Sequence, residues 1–189
     1  MKTGEQILAE GCGRGDNAAR RELYDRYAAL LLGLWGLCQR YVGDRATAED
    51  VLHDAFLKIF GAIGRFRYRG EGSLRAWMER IAVNTALEHL RRERRLGEVR
   101  LEESRALPAA AEPSDDEVAR IPREVLLRLV GELPDGYRTV FNLFCIEGYP
   151  HREIAAMLGI NEKSSSSQLA RARALLARKL RAWLDTHEL

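Results

Sequence analysis

Arg152-Glu153-Ile154-Ala155-Ala156-Met157-Leu158-Gly159-Ile160-Asn161 contains a helix, its stop and the start of the next one. Ile154 and Leu158 share one side of a helix, and Ile160 lies just past its end. Ala155 is small enough to let a second helix come close. Gly159 permits the left-handed backbone that a side chain resists, so the helix ends there. Asn161 carries the side chain of a helix N-cap. Glu162-Lys163-Ser164-Ser165-Ser166-Ser167-Gln168 then opens a long helix with Leu169, Ala172, Leu176, Leu180 and Trp183 on one face. Two helices joined this tightly form a helix-turn-helix, whose second helix enters the major groove with its N-terminal residues toward base edges. A plain helical hairpin is the alternative reading. Serine suits a helix interior poorly, so the alternative for the serine run is a solvated, frayed first turn. Short hydroxyl and amide side chains reach bases and phosphates without filling a groove, which favours DNA binding.

Outward from this point the chain stays helical. Pro122 suits the first turn of a helix carrying Val125, Leu126, Leu129 and Val130. Leu133-Pro134-Asp135 ends it and starts another, with Val140, Phe141, Phe144 and Cys145 inward. In the N-terminal half, Leu23, Tyr24, Tyr27, Leu30, Leu31 and Leu34 form one apolar stripe. Val51, Leu52, Ala55, Phe56, Ile59, Phe60 and Ile63 form a second, at helical spacing, with Thr47 and Asp50 resembling a capping box. A further helix is expected from Ser73, with Leu74, Trp77, Met78, Ile81 and Thr85 on one face. It runs into Arg91-Arg92-Glu93-Arg94-Arg95. No alternating strand pattern interrupts this order, so the fold class is all-α.

The 189 residues are 46% hydrophobic and 31% charged, a composition of folded, soluble protein. The formal net charge is only +2, but it is segregated. Arginines dominate 65–95, and Lys163 to Arg181 contains no acid. Between these basic regions, Glu98 to Glu117 is acidic, proline-containing and poor in large apolar residues. It reads as a flexible linker over 97–119, which joins a domain at 1–96 to one at 120–189. Clustered Lys and Arg are the footprint of a polyanion-binding protein. Cys12, Cys38 and Cys145 share no metal or disulfide spacing, which suits reduced thiols in the cytoplasm. The N-terminus has no signal-peptide core, and the most apolar run, 28–38, is too short to span a bilayer.

Arg65-Phe66-Arg67-Tyr68-Arg69-Gly70-Glu71-Gly72-Ser73, with Trp77, Arg80 and Asn84 beyond, alternates aromatic and arginine residues beside a glycine loop. Such surfaces stack unpaired bases and follow a single-strand backbone. The alternative is a core role for Phe66 and Trp77 beneath solvated arginines. Asp44, Glu49, Asp50, His53 and Asp54 raise a metal site, but a second ligand cluster is missing, and a partner-binding or solvated acidic face fits better. No P-loop, HExxH motif or Ser/His/Asp arrangement stands out. No cofactor, no metal and no catalytic residue are expected.

Three segments resemble the bacterial RNA polymerase sigma-70 family, in its compact extracytoplasmic-function group. Arg45-Ala46-Thr47-Ala48-Glu49-Asp50-Val51-Leu52-His53-Asp54-Ala55-Phe56-Leu57-Lys58 resembles the helix that binds core polymerase. Tyr68 to Asn84 resembles the promoter-melting region. Leu133-Pro134 through Arg173 resembles the helix-turn-helix domain. The resemblance implies polymerase contacts at Asp50, His53, Asp54 and Phe56. It implies capture of a flipped minus-ten base by the loop Tyr68, Arg69, Gly70 to Ser73, with Trp77, Arg80 and Asn84 nearby. It also implies minus-thirty-five contacts to bases from Ser166, Ser167, Gln168 and Arg171, and to phosphates from Lys163, Ser164 and Arg173. The implied partners are core RNA polymerase, promoter DNA and an anti-sigma factor, with no membrane insertion of the chain itself. The chain departs from the family at His53, where glutamine is usual, and at Ser165, where the recognition helix carries an apolar residue. Glu162-Lys163-Ser164 also replaces a common Glu-Gly-Thr start.

Overall fold

The computed structural model describes residues 2–28, 33–96 and 113–187, and every regular element among them is helical. Leu30 and Leu31 of the expected first stripe, and the 97–112 part of the expected linker, lie outside the described residues. The chain divides into two units, Met1–Gly97 and Glu98–Leu189.

The first unit contains α1 (Gly4–Gly13), α2 (Asn17–Tyr27), α3 (Leu34–Val42), α4 (Arg45–Ala62) and α5 (Ser73–Leu96). Side-chain caps fix several starts. Asp16 accepts from the Ala18 N–H at 2.8 Å, and Asp44 accepts from the Thr47 N–H at 2.9 Å. Helix α4 therefore begins at Arg45, ahead of the box expected at Thr47 and Asp50. Hydrogen bonds from Thr47 hold the Asp44 carboxyl below its ordinary range, so the cap is ionised at neutral pH. Helices α3, α4 and α5 pack on one another. Cys38, Tyr41, Ala55, Ile59, Leu74 and Met78 are sealed between them, and each large apolar side chain among these contributes roughly 1.5–3 kcal/mol by leaving water. Burial pushes the Cys38 thiol up to about 12, which makes it inert as a nucleophile. Helix α1 lies on α2, on the short turn Ile63–Arg65 and on α5. The α1–α2 approach needs a glycine, because a Cβ at Gly11 would come within 2.9 Å of the Ala19 methyl.

The second unit contains α6 (Asp115–Ala119), α7 (Arg123–Gly131), α8 (Asp135–Phe141), α9 (His151–Leu158) and α10 (Glu162–Thr186). Leu129, Leu133, Tyr137, Ala172 and Leu176 form a core between α7, α8 and α10. Arg138 is buried in it. Its guanidinium donates to the carbonyls of Gly131 at 2.8 Å and Leu133 at 3.1 Å, and to Asp135 at 2.6 Å. The cation thus satisfies the open C-terminal end of α7.

Two local expectations fail here. Cys145 is exposed, and Asn142 and Leu143 are buried in its stead. The cause is a π-helical turn, Asn142–Ile146, which continues α8 with an extra residue and rotates the inward face. Residues 115–119, composed like a linker, form α6. Ser114 and Glu117 make a reciprocal capping box, and Glu117 also accepts from Arg181 of α10 at 2.6 Å.

The Ser114 backbone N–H, then Arg181 and the Ser114 hydroxyl, hold the Glu117 carboxyl down at about 2 against an ordinary 4.5. A lowered carboxyl stabilises the folded state above the unfolded-state value and loses that contribution as pH falls toward the folded-state value. Thermal melts of the protein are expected to fall more steeply between pH 4.5 and about 2 than those of Glu117→Gln. Parallel pH profiles for the two proteins would contradict this.

Candidate nucleic-acid interface

Helix α9 stops at Gly159, which takes the left-handed conformation at φ 67° and ψ 33°. Asn161 caps α10, accepting from the Ser164 N–H at 2.7 Å. The two helices pack on one another, with Ile154, Ala155 and Leu169 buried. Ser165 is 0% exposed, with its Oγ 2.9 Å from His151 Nδ1. The His151 ring in turn stacks on Phe144, centroids 4.5 Å apart. A polar bond thus replaces an apolar contact beneath α10, and with Ser165 inward the register of the helix is set.

Lys163, Ser166, Ser167, Arg171 and Arg173 are exposed, and Ser164 and Gln168 are half-buried. Helical spacing puts Ser164, Ser167, Gln168 and Arg171 on one flank and Ser166 and Arg173 on the other. The Ser166 hydroxyl donates to the Lys163 carbonyl and the Ser167 hydroxyl to the Ser164 carbonyl, each at 3.1 Å. With their protons directed at the backbone, both oxygens present acceptor lone pairs outward. The cations of α10 divide into paired and unpaired ones, Arg178 being unpaired among the described residues. Lys179 pairs with Glu132 at 2.5 Å and Arg181 with Glu117 at 2.6 Å. Lys163, Arg171 and Arg173 have no ion pair among the described residues.

In the first unit, Gly70 at φ 130° and Gly72 at φ 81° shape the loop before α5. The Ser73 Oγ accepts from the Arg69 N–H at 3.2 Å. Tyr68 is half-buried and Arg69 exposed. Phe66 leans on Trp77 at 5.3 Å between centroids, and both rings keep an exposed part. Ser73, Trp77, Arg80 and Asn84 follow one another along one side of α5, with Arg80 and Asn84 exposed.

On α4, Asp50, His53 and Asp54 are exposed, and Asp54 lies 3.9 Å from Arg92. Phe56 is not on this face. It is 3% exposed, against Tyr24 at 4.6 Å and Phe60 at 5.7 Å. As a polymerase contact it is corrected to a core residue, because it belongs to the apolar stripe with Leu52 and Ile59. Leu57 takes the outward position, 71% exposed, three residues beyond Asp54 and four beyond His53. The same periodicity could have found it in the sequence. Among the described residues, no group of three His, Cys, Asp or Glu side chains could hold a metal ion. No described helix is long and apolar enough to cross a membrane.

Residues 23–96 match the family description Sigma-70 region 2, and residues 123–176 match Sigma-70, region 4. The chain is 31% identical to the RNA polymerase sigma-H factor of Pseudomonas aeruginosa, over 95% of each chain. It is 34% identical to the ECF RNA polymerase sigma factor SigM of Mycobacterium tuberculosis, over 91% of this chain and 82% of the other. It shares its fold with the solved sigma factor RpoE of Bartonella quintana, a structure in complex with the anti-sigma factor NepR. The TM-score is 0.50 at 18% identity, over 86% of this chain and 98% of that one. The chain belongs to the bacterial sigma-70 family, in its extracytoplasmic-function group. Sigma factors are subunits that bind core RNA polymerase and direct it to promoters, and they catalyse no step themselves.

Proposed function

We propose a division of labour between the two units. The first docks on core polymerase through the α4 face of Asp50, His53, Asp54 and Leu57. It opens the minus-ten element, capturing an extruded base in the loop Tyr68 to Ser73 and passing the strand along Trp77, Arg80 and Asn84. Extruding a base costs a few kcal/mol, so a preformed loop selects sequence while it holds melted DNA. The second unit reads the minus-thirty-five element as duplex. Ser166, Ser167, Gln168 and Arg171 meet base edges, and Lys163, Ser164 and Arg173 meet phosphates. Outward serine acceptors suit the amino groups of adenine and cytosine in the major groove. An anti-sigma factor is the expected inhibitor, covering the α4 face.

The supporting observation is that every cation in the N-terminal half of α10 lacks an ion pair among the described residues. Lys179 and Arg181 are spent on the unit's own carboxylates, whereas Lys163, Arg171 and Arg173, the cations nearest the start of the helix, are unspent, as is Arg178 further along. Unpaired cations at the start of a recognition helix are available to phosphates and guanine edges.

Run-off transcription with sigma-free core polymerase on fragmented genomic DNA is the test. New transcripts should share two upstream elements at fixed spacing. Arg171→Ala is expected to lower initiation on duplex promoters by about tenfold, equivalent to roughly 1.4 kcal/mol, and to spare pre-melted templates lacking the upstream element. Equal losses on both would overturn the assignment to the minus-thirty-five element. No new transcripts and no co-elution with core polymerase would overturn the whole reading, and tight duplex binding by the free protein would then indicate a polymerase-independent regulator.

A further inference from the structure

Helix α1 lies outside the residues that match region 2, yet it reaches the loop before α5. Gly72 is the N-cap of α5, since its carbonyl accepts the first helical bond, from the Ala76 N–H at 3.0 Å. In a capping box, a glutamate or glutamine at the third helical position would reach back to the N-cap N–H. That position here is Arg75, which can accept nothing, and the first turn of α5 contains no acid. Glu5 fills the gap from 67 residues away: its Oε2 accepts from the Gly72 N–H at 3.0 Å. Its Oε1 accepts from the Tyr27 hydroxyl at 3.2 Å, which fixes the carboxylate from behind.

We infer that Glu5 is a positioning residue for the minus-ten loop, a capping-box carboxylate supplied by another helix. The inference rests on the reading of Tyr68 to Ser73 given above. Two glycines at positive φ leave the loop with little conformational preference of its own. The Arg69–Ser73 bond closes its interior, and Glu5 ties its C-terminal end to α1. A loop ordered before DNA arrives spends no binding energy on ordering, and so discriminates better among bases.

Initiation by holoenzyme is measured on pre-melted templates carrying the minus-ten element found by run-off transcription, with each single-stranded base changed in turn. Glu5→Ala is expected to lower the ratio of initiation on the preferred base to that on the others by about tenfold, the scale of a lost charge-assisted hydrogen bond. Affinity for core polymerase should stay near wild type, and the melting temperature should fall by no more than several degrees, the shift that the loss of about 1.4 kcal/mol gives in a small domain. Glu5→Gln should keep the discrimination, because its amide oxygen can accept from Gly72 while its NH2 donates to Tyr27. Undiminished discrimination in Glu5→Ala would overturn the inference. So would a loss shared equally by every template, which marks general destabilisation. Tighter single-strand binding by Glu5→Ala would overturn it too, since Glu5 would then be a stand-in for a phosphate. If the wild-type protein itself fails to discriminate, the assignment of the loop falls and this inference with it.

Discussion

Leu57→Ala is expected to weaken association with core polymerase by about tenfold to a hundredfold, the worth of one leucine side chain leaving water at an interface. The same change should leave stability within about 0.5 kcal/mol, because Leu57 touches little in its own unit and alanine is a good helix former. Phe56→Ala, one residue away, should do the opposite at first sight. It removes a ring packed on Tyr24 and Phe60 and should cost about 3–5 kcal/mol of folding stability. That is a large part of the stability of a small unit, so polymerase binding would be lost with the fold. Chemical denaturation and co-elution with core polymerase, measured on both variants, separate the two roles. A Leu57→Ala protein that binds core polymerase as wild type would remove Leu57 from the docking face.

Gly159→Val is the second large effect. Its left-handed conformation at φ 67° is strained for any β-branched residue. No atom lies within 4 Å of the space a Cβ would fill, so a Cβ itself meets no clash and backbone strain is the cost that the left-handed conformation imposes. About 1–3 kcal/mol is expected, and relief of that strain would swing α10 relative to α9 and misplace Arg171. Gly159→Asn, which tolerates the left-handed region, should lose much less. Melting of the two variants, with initiation on duplex promoters, is the check. Equal behaviour of valine and asparagine would show that the turn is not held in that conformation.

The positions that were legible in the sequence are those governed by neighbours along the chain. Gly159, Asn161 and the Leu169–Ala172–Leu176 stripe follow from local geometry, and each stands where the spacing put it. Phe56 shows where two kinds of reading compete. Periodicity put it in an apolar stripe, and family resemblance put it on the docking face. Burial decided for periodicity, because an aromatic ring gains more in the core than at an exposed helix surface. The π-helical turn at Asn142–Ile146 escaped, since an extra residue in a helical turn leaves no mark in the residue pattern. Helix α6 escaped because composition outweighed the Ser114–Glu117 spacing, a capping signal present in the sequence. The Glu5–Gly72 bond had no local signal at all.

The polar bond beneath α10 has an evolutionary consequence. Valine at position 165 would leave His151 without its partner, and an apolar residue at 151 would leave a buried hydroxyl without its own. Either single change is penalised, and the paired change is not. Positions 151 and 165 are therefore expected to co-vary among relatives, with an aromatic residue at 144 accompanying histidine. The lineage that acquired this pair carries a ratchet: once both residues are in place, neither is easily replaced alone.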